Sequence, residues 1–341
     1  MSSFPSLLPF GWKDQPLPLG TSPGRVVRHD GALLTVVSQS GVTVMRNPLD
    51  LVPAPTVGDW LAISAADDGR IVEVLERSSL LRRQSADDTG DQALAANVDI
   101  VLVTCGADRP IKAGRIDRGI TQAWDAGATP VVVLTKASAV DVAAIDIGRL
   151  ELDHPGVAFF VTSALENDGI DELRAALVGR TTVLLGESGA GKSTLTNALV
   201  GSDAATTGDV RAGDAKGRHT TTSRQLHLVP GGGVIIDTPG IRSIGLAADS
   251  AAIDASFADI VDWAEGCRFG DCAHQGEPGC AVRAAVLSGE LSEQRFDSWR
   301  RLQREAASAA VRSDARARHQ YARQSGRSAK QGQVRKRGTN R

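Results

Sequence analysis

The chain has 341 residues, 42% of them apolar and 23% charged, and a formal net charge of −2. That length and apolar content supply two or three domains with real cores, which excludes disorder throughout. No run approaches the roughly 18 uninterrupted apolar residues of a membrane span, and three of the four cysteines cluster between Cys267 and Cys280, which in a reducing compartment points to metal rather than disulfides.

The N-terminal text MSSFPSLLPFGWKD carries no basic residue ahead of its apolar positions, so it does not read as a secretory signal, and a cytoplasmic protein is expected. Residues 1–20 are rich in Pro and Leu without periodicity and predict a flexible leader. Over 21–90 the runs GRVVRHDG, ALLTVVSQSG, VTVMRNP, GDWLAIS and GRIVEVLER are short, β-branched and separated by Gly, Asp, Asn and Pro. Five such runs predict a small antiparallel barrel of OB type. An SH3-like barrel produces similar text, and either kind serves elsewhere as a mere spacer.

Between 91 and 248 the texture changes to alternating strand and helix. VDIVLVT, TPVVVLT, VAFFVT, TTVLLG and GVIIDT are near-continuous apolar runs, whereas GRIDRGITQAWDAG and GIDELRAAL repeat at helical spacing. Runs buried on both faces predict a largely parallel sheet covered by helices. Such a sheet binds ligands at the carboxyl ends of its strands.

Gly186, Glu187, Ser188, Gly189, Ala190, Gly191, Lys192 and Ser193 satisfy G-x-x-x-x-G-K-[ST] between the run TTVLL and the helical text STLTNALV, with Thr194 following in the first turn. Strand, loop and helix are the context in which this motif wraps a triphosphate with inward N–H groups. Lys192 supplies a cation for the terminal phosphates and the Ser193 hydroxyl a ligand for Mg²⁺. Some forty residues on, Asp237-Thr238-Pro239-Gly240 ends another apolar run, as expected of an acid holding Mg²⁺ and a glycine sensing the γ-phosphate. The polar segment GDVRAGDAKGRHTTTSRQ between them reads as a switch loop in which Thr220, Thr221 or Thr222 completes the Mg²⁺ shell.

These residues resemble the RsgA (YjeQ) family of circularly permuted GTPases that act in small ribosomal subunit biogenesis. The usual order of GTPase motifs ends with N-K-x-D and S-A; here the corresponding strand ends, Thr135-Lys136-Ala137-Ser138 and Ser163-Ala164, come first. The resemblance implies a circularly permuted α/β P-loop GTPase carrying an N-terminal OB-type barrel and a C-terminal zinc-binding helical domain. It further implies binding of GTP and GDP with Mg²⁺, docking on the small ribosomal subunit and its rRNA, hydrolysis stimulated there, and release. A clamp on one large particle requires only a monomer.

Two departures stand out. Thr135 and Ser138 replace the Asn and Asp of the base-reading pattern, and a neutral hydroxyl cannot form a bidentate, charge-assisted pair with guanine. Relaxed guanine selectivity is the expectation. Ile241 follows D-x-P-G where a water-orienting Gln is usual, which predicts slow intrinsic turnover. The resemblance places His219, in G-R-H-T-T-T, near the attacking water once a partner orders the switch loop.

Residues 249–311 hold Cys267-x4-Cys272-x-His274-x5-Cys280, three thiolates and one imidazole, the ligand set of one closed, structural Zn²⁺ site. The following text, AVRAAVLSGELSEQRFDSWRRLQREAASAAV, reads as amphipathic helices covering it. The last segment, 312–341, carries ten Lys or Arg against the single acid Asp314; such a tail is drawn to polyanions through counterion release. Two other readings stay open: a nucleotide-sensing RNA-binding scaffold with vestigial or base-relaxed hydrolysis, and a P-loop ATPase of another kind. The ATPase tolerates Ser138 but leaves Ser163-Ala164 and the cysteine cluster without a role.

Overall fold

The computed structural model describes residues 6–48, 50–66, 69–83, 92–201, 224–237 and 250–311. The five runs predicted for the barrel form β1 (Thr21–Asp30), β2 (Leu33–Ser38), β3 (Gly41–Arg46), β4 (Trp60–Ser64) and β5 (Ile71–Val74). β1 pairs antiparallel with both β2 and β4, β2 pairs with β3, and β4 with β5. The stretch expected as a flexible leader departs from that expectation over its described part. Leu7 and Phe10 are 2% and 4% exposed and join the cluster that contains Val26, Leu34 and Leu61. Trp12 meets Trp60 edge-on with ring centroids 4.7 Å apart. Apolar side chains in aperiodic text have no face of their own, yet they are buried as readily as periodic ones wherever a neighbouring sheet offers a surface.

An antiparallel ribbon, β6 (Leu80–Arg83) with β7 (Gln92–Ala96), leads into the second layer. There the order is β8 (Ile100–Gly106), α1 (Ala113–Asp125), β9 (Thr129–Thr135), α2 (Ile147–Asp153), β10 (Ala158–Val161), α3 (Ile170–Ala176), β11 (Thr181–Leu185), α4 (Lys192–Val200), β12 (Arg224–Leu228) and β13 (Val234–Asp237). Across the sheet the sequence is β10-β9-β8-β11-β13-β12. The first five are parallel, and β12 runs antiparallel to β13. β12 also pairs with β1 through Arg28 opposite Gln225 and His29 opposite Arg224, so barrel and α/β sheet are one hydrogen-bonded surface.

Burial on both faces is visible in the alternation along the central strands. Val101, Val103, Val132, Leu134 and Val183 face one core cluster, while Ile100, Leu102, Val131, Val133 and Leu184 face another. Each such side chain withdrawn from water contributes about 1.5–3 kcal/mol before entropy is counted. Side-chain exchange between faces is therefore costly, and register is fixed.

The C-terminal helices α5 (Ser250–Ser256), α6 (Ala258–Glu265), α7 (Ala281–Ser288) and α8 (293–311) enclose a third cluster around Ile253, Phe257, Ile260, Val282, Phe296 and Leu302. A buried arginine fastens this unit to α1. Arg295, 2% exposed, donates to Asp117 Oδ1 at 3.0 Å and to both Asp259 oxygens at 2.7 and 2.8 Å. Asp117 Oδ1 also lies 3.0 Å from His154 Nε2. The guanidinium is stacked 4.5 Å above the Phe257 ring. Each charge thus has an opposite partner, although Asp117 Oδ2 is buried without a hydrogen bond, so the group falls short of the full satisfaction that offsets the burial of ions.

Packing of the N-terminal segment can be tested by truncating one side chain. Phe10→Ala should cost about 3 kcal/mol in denaturant unfolding, whereas an unanchored leader would give no change in midpoint.

Candidate functional site

Every sequence-predicted site residue within the described part of the α/β layer falls at the carboxyl end of a strand. β11 delivers the loop Gly186–Gly191 and α4 follows it. Gly186 has φ +154, and a Cβ there would lie 2.4 Å from the Thr104 carbonyl oxygen; Gly191, at φ +85, would bring one within 3.0 Å of Thr135 Oγ1. Both positions therefore require glycine, because the loop is pressed against β8 on one side and the end of β9 on the other. Lys192 Nζ donates to the carbonyls of Gly186 and Glu187 at 2.6 and 2.7 Å, so its charge spans the loop mouth. Glu187 is itself held by Arg115 of α1 at 2.5 Å. Ser188, Gly189, Ser193 and Thr194 are exposed, and Ala190 is buried.

β13 lies beside β11, with Val183 opposite Ile236, and ends on the exposed Asp237. His219, the three switch-loop threonines, Gly240 and Ile241 lie outside the described residues, as does the basic tail.

At the end of β9, Thr135 is buried and donates through Oγ1 to the Ala190 carbonyl at 2.6 Å. A hydroxyl thus ties this strand end to the P-loop backbone. Lys136 adopts a left-handed backbone, φ +62, uncommon outside glycine and asparagine. Its ammonium donates to Asp108 Oδ2 at 2.8 Å. Ser163, at the end of β10, is 1% exposed and donates to Ser138 Oγ at 2.9 Å. Ala164 packs against the cluster formed by Leu102, Val133 and Leu195. The five sequence-predicted residues Thr135, Lys136, Ser138, Ser163 and Ala164 are brought together on the side of the P-loop occupied by β9 and β10.

The loop after β8 was missed by motif reading. Asp108 and Arg109 belong to it; Ala107 N–H donates to the Thr135 carbonyl at 2.9 Å, and Arg109 reaches the Gly189 carbonyl at 3.3 Å. The Lys136 ammonium holds the Asp108 carboxyl below its usual range against the opposing effect of desolvation, with the Arg109 guanidinium adding to the lowering. Their only sequence signal was position, immediately after the apolar strand text VDIVLVTCG. Behind this loop Cys105 borders a cavity of about 320 Å³ shared with Ile111, Arg115 and Glu187. Burial pushes its thiol up to about 11, which keeps it protonated and unreactive at neutral pH.

The second cluster is remote in sequence. Ligand atoms of Cys267, Cys272, His274 and Cys280 all lie within 4.8 Å of one another. Cys267 Sγ is 3.6 Å from His274 Nδ1 and 4.0 Å from Cys280 Sγ, and His274 Nδ1 is 3.4 Å from Cys280 Sγ. Four soft ligands at these separations fit one tetrahedral metal ion with bonds of about 2.0–2.3 Å. Burial opposes ionisation of Cys267, but hydrogen bonds from the Val282 and Ala281 N–H groups, together with the Cys272 and Cys280 thiols, lower its pKa on balance. Cys280 is the N-cap of α7, accepting from Arg283 N–H, so the cluster is built into the helical core.

The sequence model of the RsgA GTPase family matches residues 74–247. A protein of Streptomyces coelicolor named small ribosomal subunit biogenesis GTPase RsgA is 43% identical over 333 residues, covering 93% of this chain and 91% of its own. A Vibrio parahaemolyticus protein named small ribosomal subunit biogenesis GTPase RsgA 2 is 40% identical over 290 residues, covering 83% and 79%. The crystal structure of YjeQ from Thermotoga maritima superposes with a TM-score of 0.64 at 27% identity, over 84% of this chain and 99% of that one. YloQ, described as a circularly permuted GTPase, shares the fold with a TM-score of 0.63 at 22% identity, over 84% and 96%. The family model over residues 74–247, together with 43% identity to a relative across 93% of the chain, places the protein in the RsgA GTPase family.

Proposed function

We propose that this chain is a GTP hydrolase whose turnover is stimulated by the small ribosomal subunit, and that it acts in late maturation of that subunit by docking in one nucleotide state and leaving in the other. The observation that carries this reading is the joining of two loops at one sheet edge: Thr135 of the base loop is hydrogen-bonded to Ala190 of the P-loop at 2.6 Å. The partner is that named for the related proteins, the small ribosomal subunit.

In this reading the N–H groups of Gly186 to Thr194 and the Lys192 ammonium hold the triphosphate. Ser193 and Asp237 would hold Mg²⁺, which neutralises charge on the terminal phosphates. Gly240 contacts the γ-phosphate and His219 orients the attacking water, roles the family resemblance assigns to residues outside those described. Thr135 braces the base loop, Lys136 lies along the base, and Ser138 with Ser163 and Ala164 meets its edge. A serine hydroxyl accepts from a protonated purine N1 and donates to an unprotonated one, so base discrimination should be weaker than with a carboxylate. Cys267, Cys272, His274 and Cys280 would hold one structural Zn²⁺, closing the coordination shell without a position for water. The barrel, the metal knuckle and the basic tail are the surfaces offered to rRNA, and a cytoplasmic monomer suffices. Among the described residues no helix is long and apolar enough to cross a membrane.

GTP turnover measured with and without purified small subunits tests the assignment. Stimulation is expected, with Lys192→Ala losing about a hundredfold or more in both conditions and His219→Ala losing the stimulated rate alone. Absence of stimulation at saturating subunit would favour the RNA-binding scaffold. In competition assays ATP and XTP should displace bound GDP at modest excess, and Ser138→Asp should sharpen the preference for guanine by about tenfold or more. Elemental analysis should find one zinc per chain; chelation should lower the melting temperature and abolish stimulation by the subunit while leaving GDP affinity unchanged.

A further inference from the structure

Asp108 lies outside the G-x-x-x-x-G-K-[ST], D-x-P-G, base-loop and Ser-Ala motifs, yet the fold sets it against two of them. Gly106 pairs with Thr135 across β8 and β9, and the next N–H, of Ala107, donates to the Thr135 carbonyl. The loop after β8 therefore runs beside the base loop. A Cβ on Gly106 would sit 2.6 Å from Asp108 Oδ1 and 3.7 Å from Ala190 Cα, so the absence of a side chain there lets the carboxylate fold back over the junction of the two loops. From that position Asp108 Oδ2 accepts from Lys136 Nζ at 2.8 Å, and Oδ1 lies 3.4 Å from Arg109 Nε. Arg109 in turn reaches the Gly189 carbonyl of the P-loop. Lys136 and Asp108 are each about one-third exposed, at 34% and 32%, as expected of groups lining an open site.

We infer that Asp108 is a positioning residue for nucleotide binding: its carboxylate fixes the Lys136 side chain along the face that receives the base. The inference rests on the reading of Lys136 as a base contact given under Proposed function. A lysine stem has many rotamers and loses much freedom when it is ordered against a ligand. An ion pair already formed before the nucleotide arrives removes part of that loss, which is the physical content of preorganisation. The effect matters more here than in a site with a carboxylate at position 138. Ser138 contributes only a neutral hydroxyl, so a larger share of the grip on the base falls to the flat contact with Lys136.

The test is a double-mutant cycle on the full-length chain, read as equilibrium binding of fluorescently labelled GDP and as steady-state GTP hydrolysis. Lys136→Met and Asp108→Asn should each weaken GDP binding about fivefold, the scale of a partly exposed ion pair. Asp108→Asn should raise KM and leave kcat unchanged, Asp108→Glu should restore most of the affinity, and the double variant should be no weaker than Lys136→Met alone. If Lys136→Met weakens binding but Asp108→Asn does not, or if the two losses multiply in the double variant, Asp108 does not act through Lys136 and the inference is overturned. If Lys136→Met itself leaves GDP binding unchanged, the base-site reading fails, and the role given to Asp108 fails with it.

Discussion

Lateral hydrogen bonding of parallel strands is the constraint on which the whole site depends. β8 pairs with β9 on one side and β11 on the other, and β11 pairs with β13; those ladders alone bring the strand ends Gly106, Thr135, Leu185 and Asp237 to one edge. The ladder is indifferent to the order in which the chain visits its strands. A chain that reaches the base-reading strands first can therefore build the same edge as one that reaches the P-loop first. What permutation changes is the exit. After Asp237 the chain passes through residues 238–249 to α5, so in sequence the helices that carry the Cys267–Cys280 cluster come directly after the strand that ends beside the P-loop strand.

Those helices are also fastened to the α/β layer from a second direction. Asp117, Arg118 and Arg115 lie along the same helix, α1. Arg115 pairs with Glu187 of the P-loop, Arg118 with Glu305 of α8, and Asp117 with Arg295 of α8. Breaking a buried pair by removing one partner typically costs 3–5 kcal/mol, because the remaining charge is stranded. Through these contacts α1 touches both the P-loop and the C-terminal helices.

Much of this was legible in the sequence, for identifiable reasons. The strands that carry the P-loop and the base loop are buried on both faces and so wrote themselves as unbroken apolar runs; TPVVVLT coincides with β9 from Thr129 to Thr135. The Cys267 to Cys280 spacing pointed to a group able to hold a metal, and the fold brings those four ligand atoms within 4.8 Å of one another. β6, β7 and β12 were not anticipated: LLRR, QALAA and RQLHL are short and partly exposed, and pairing, not hydrophobic period, makes them strands. Leu7 and Phe10 were read as belonging to a leader because burial by another element leaves no period in the buried segment. Thr135 looked like a defect in a motif, and only geometry shows its hydroxyl performing the bracing to Ala190. Asp108 carried no motif at all, since its meaning arises from Lys136, 28 residues away.

The central claim is that nucleotide state governs attachment to RNA elsewhere on the molecule. Its most direct test is the affinity of the purified protein for small ribosomal subunits, measured by co-sedimentation with GDP and with a non-hydrolysable GTP analogue at the same salt concentration. The account predicts tight association with the analogue and a loss of about tenfold or more with GDP, the scale of ordinary allosteric coupling. Equal affinity in the two states would contradict it.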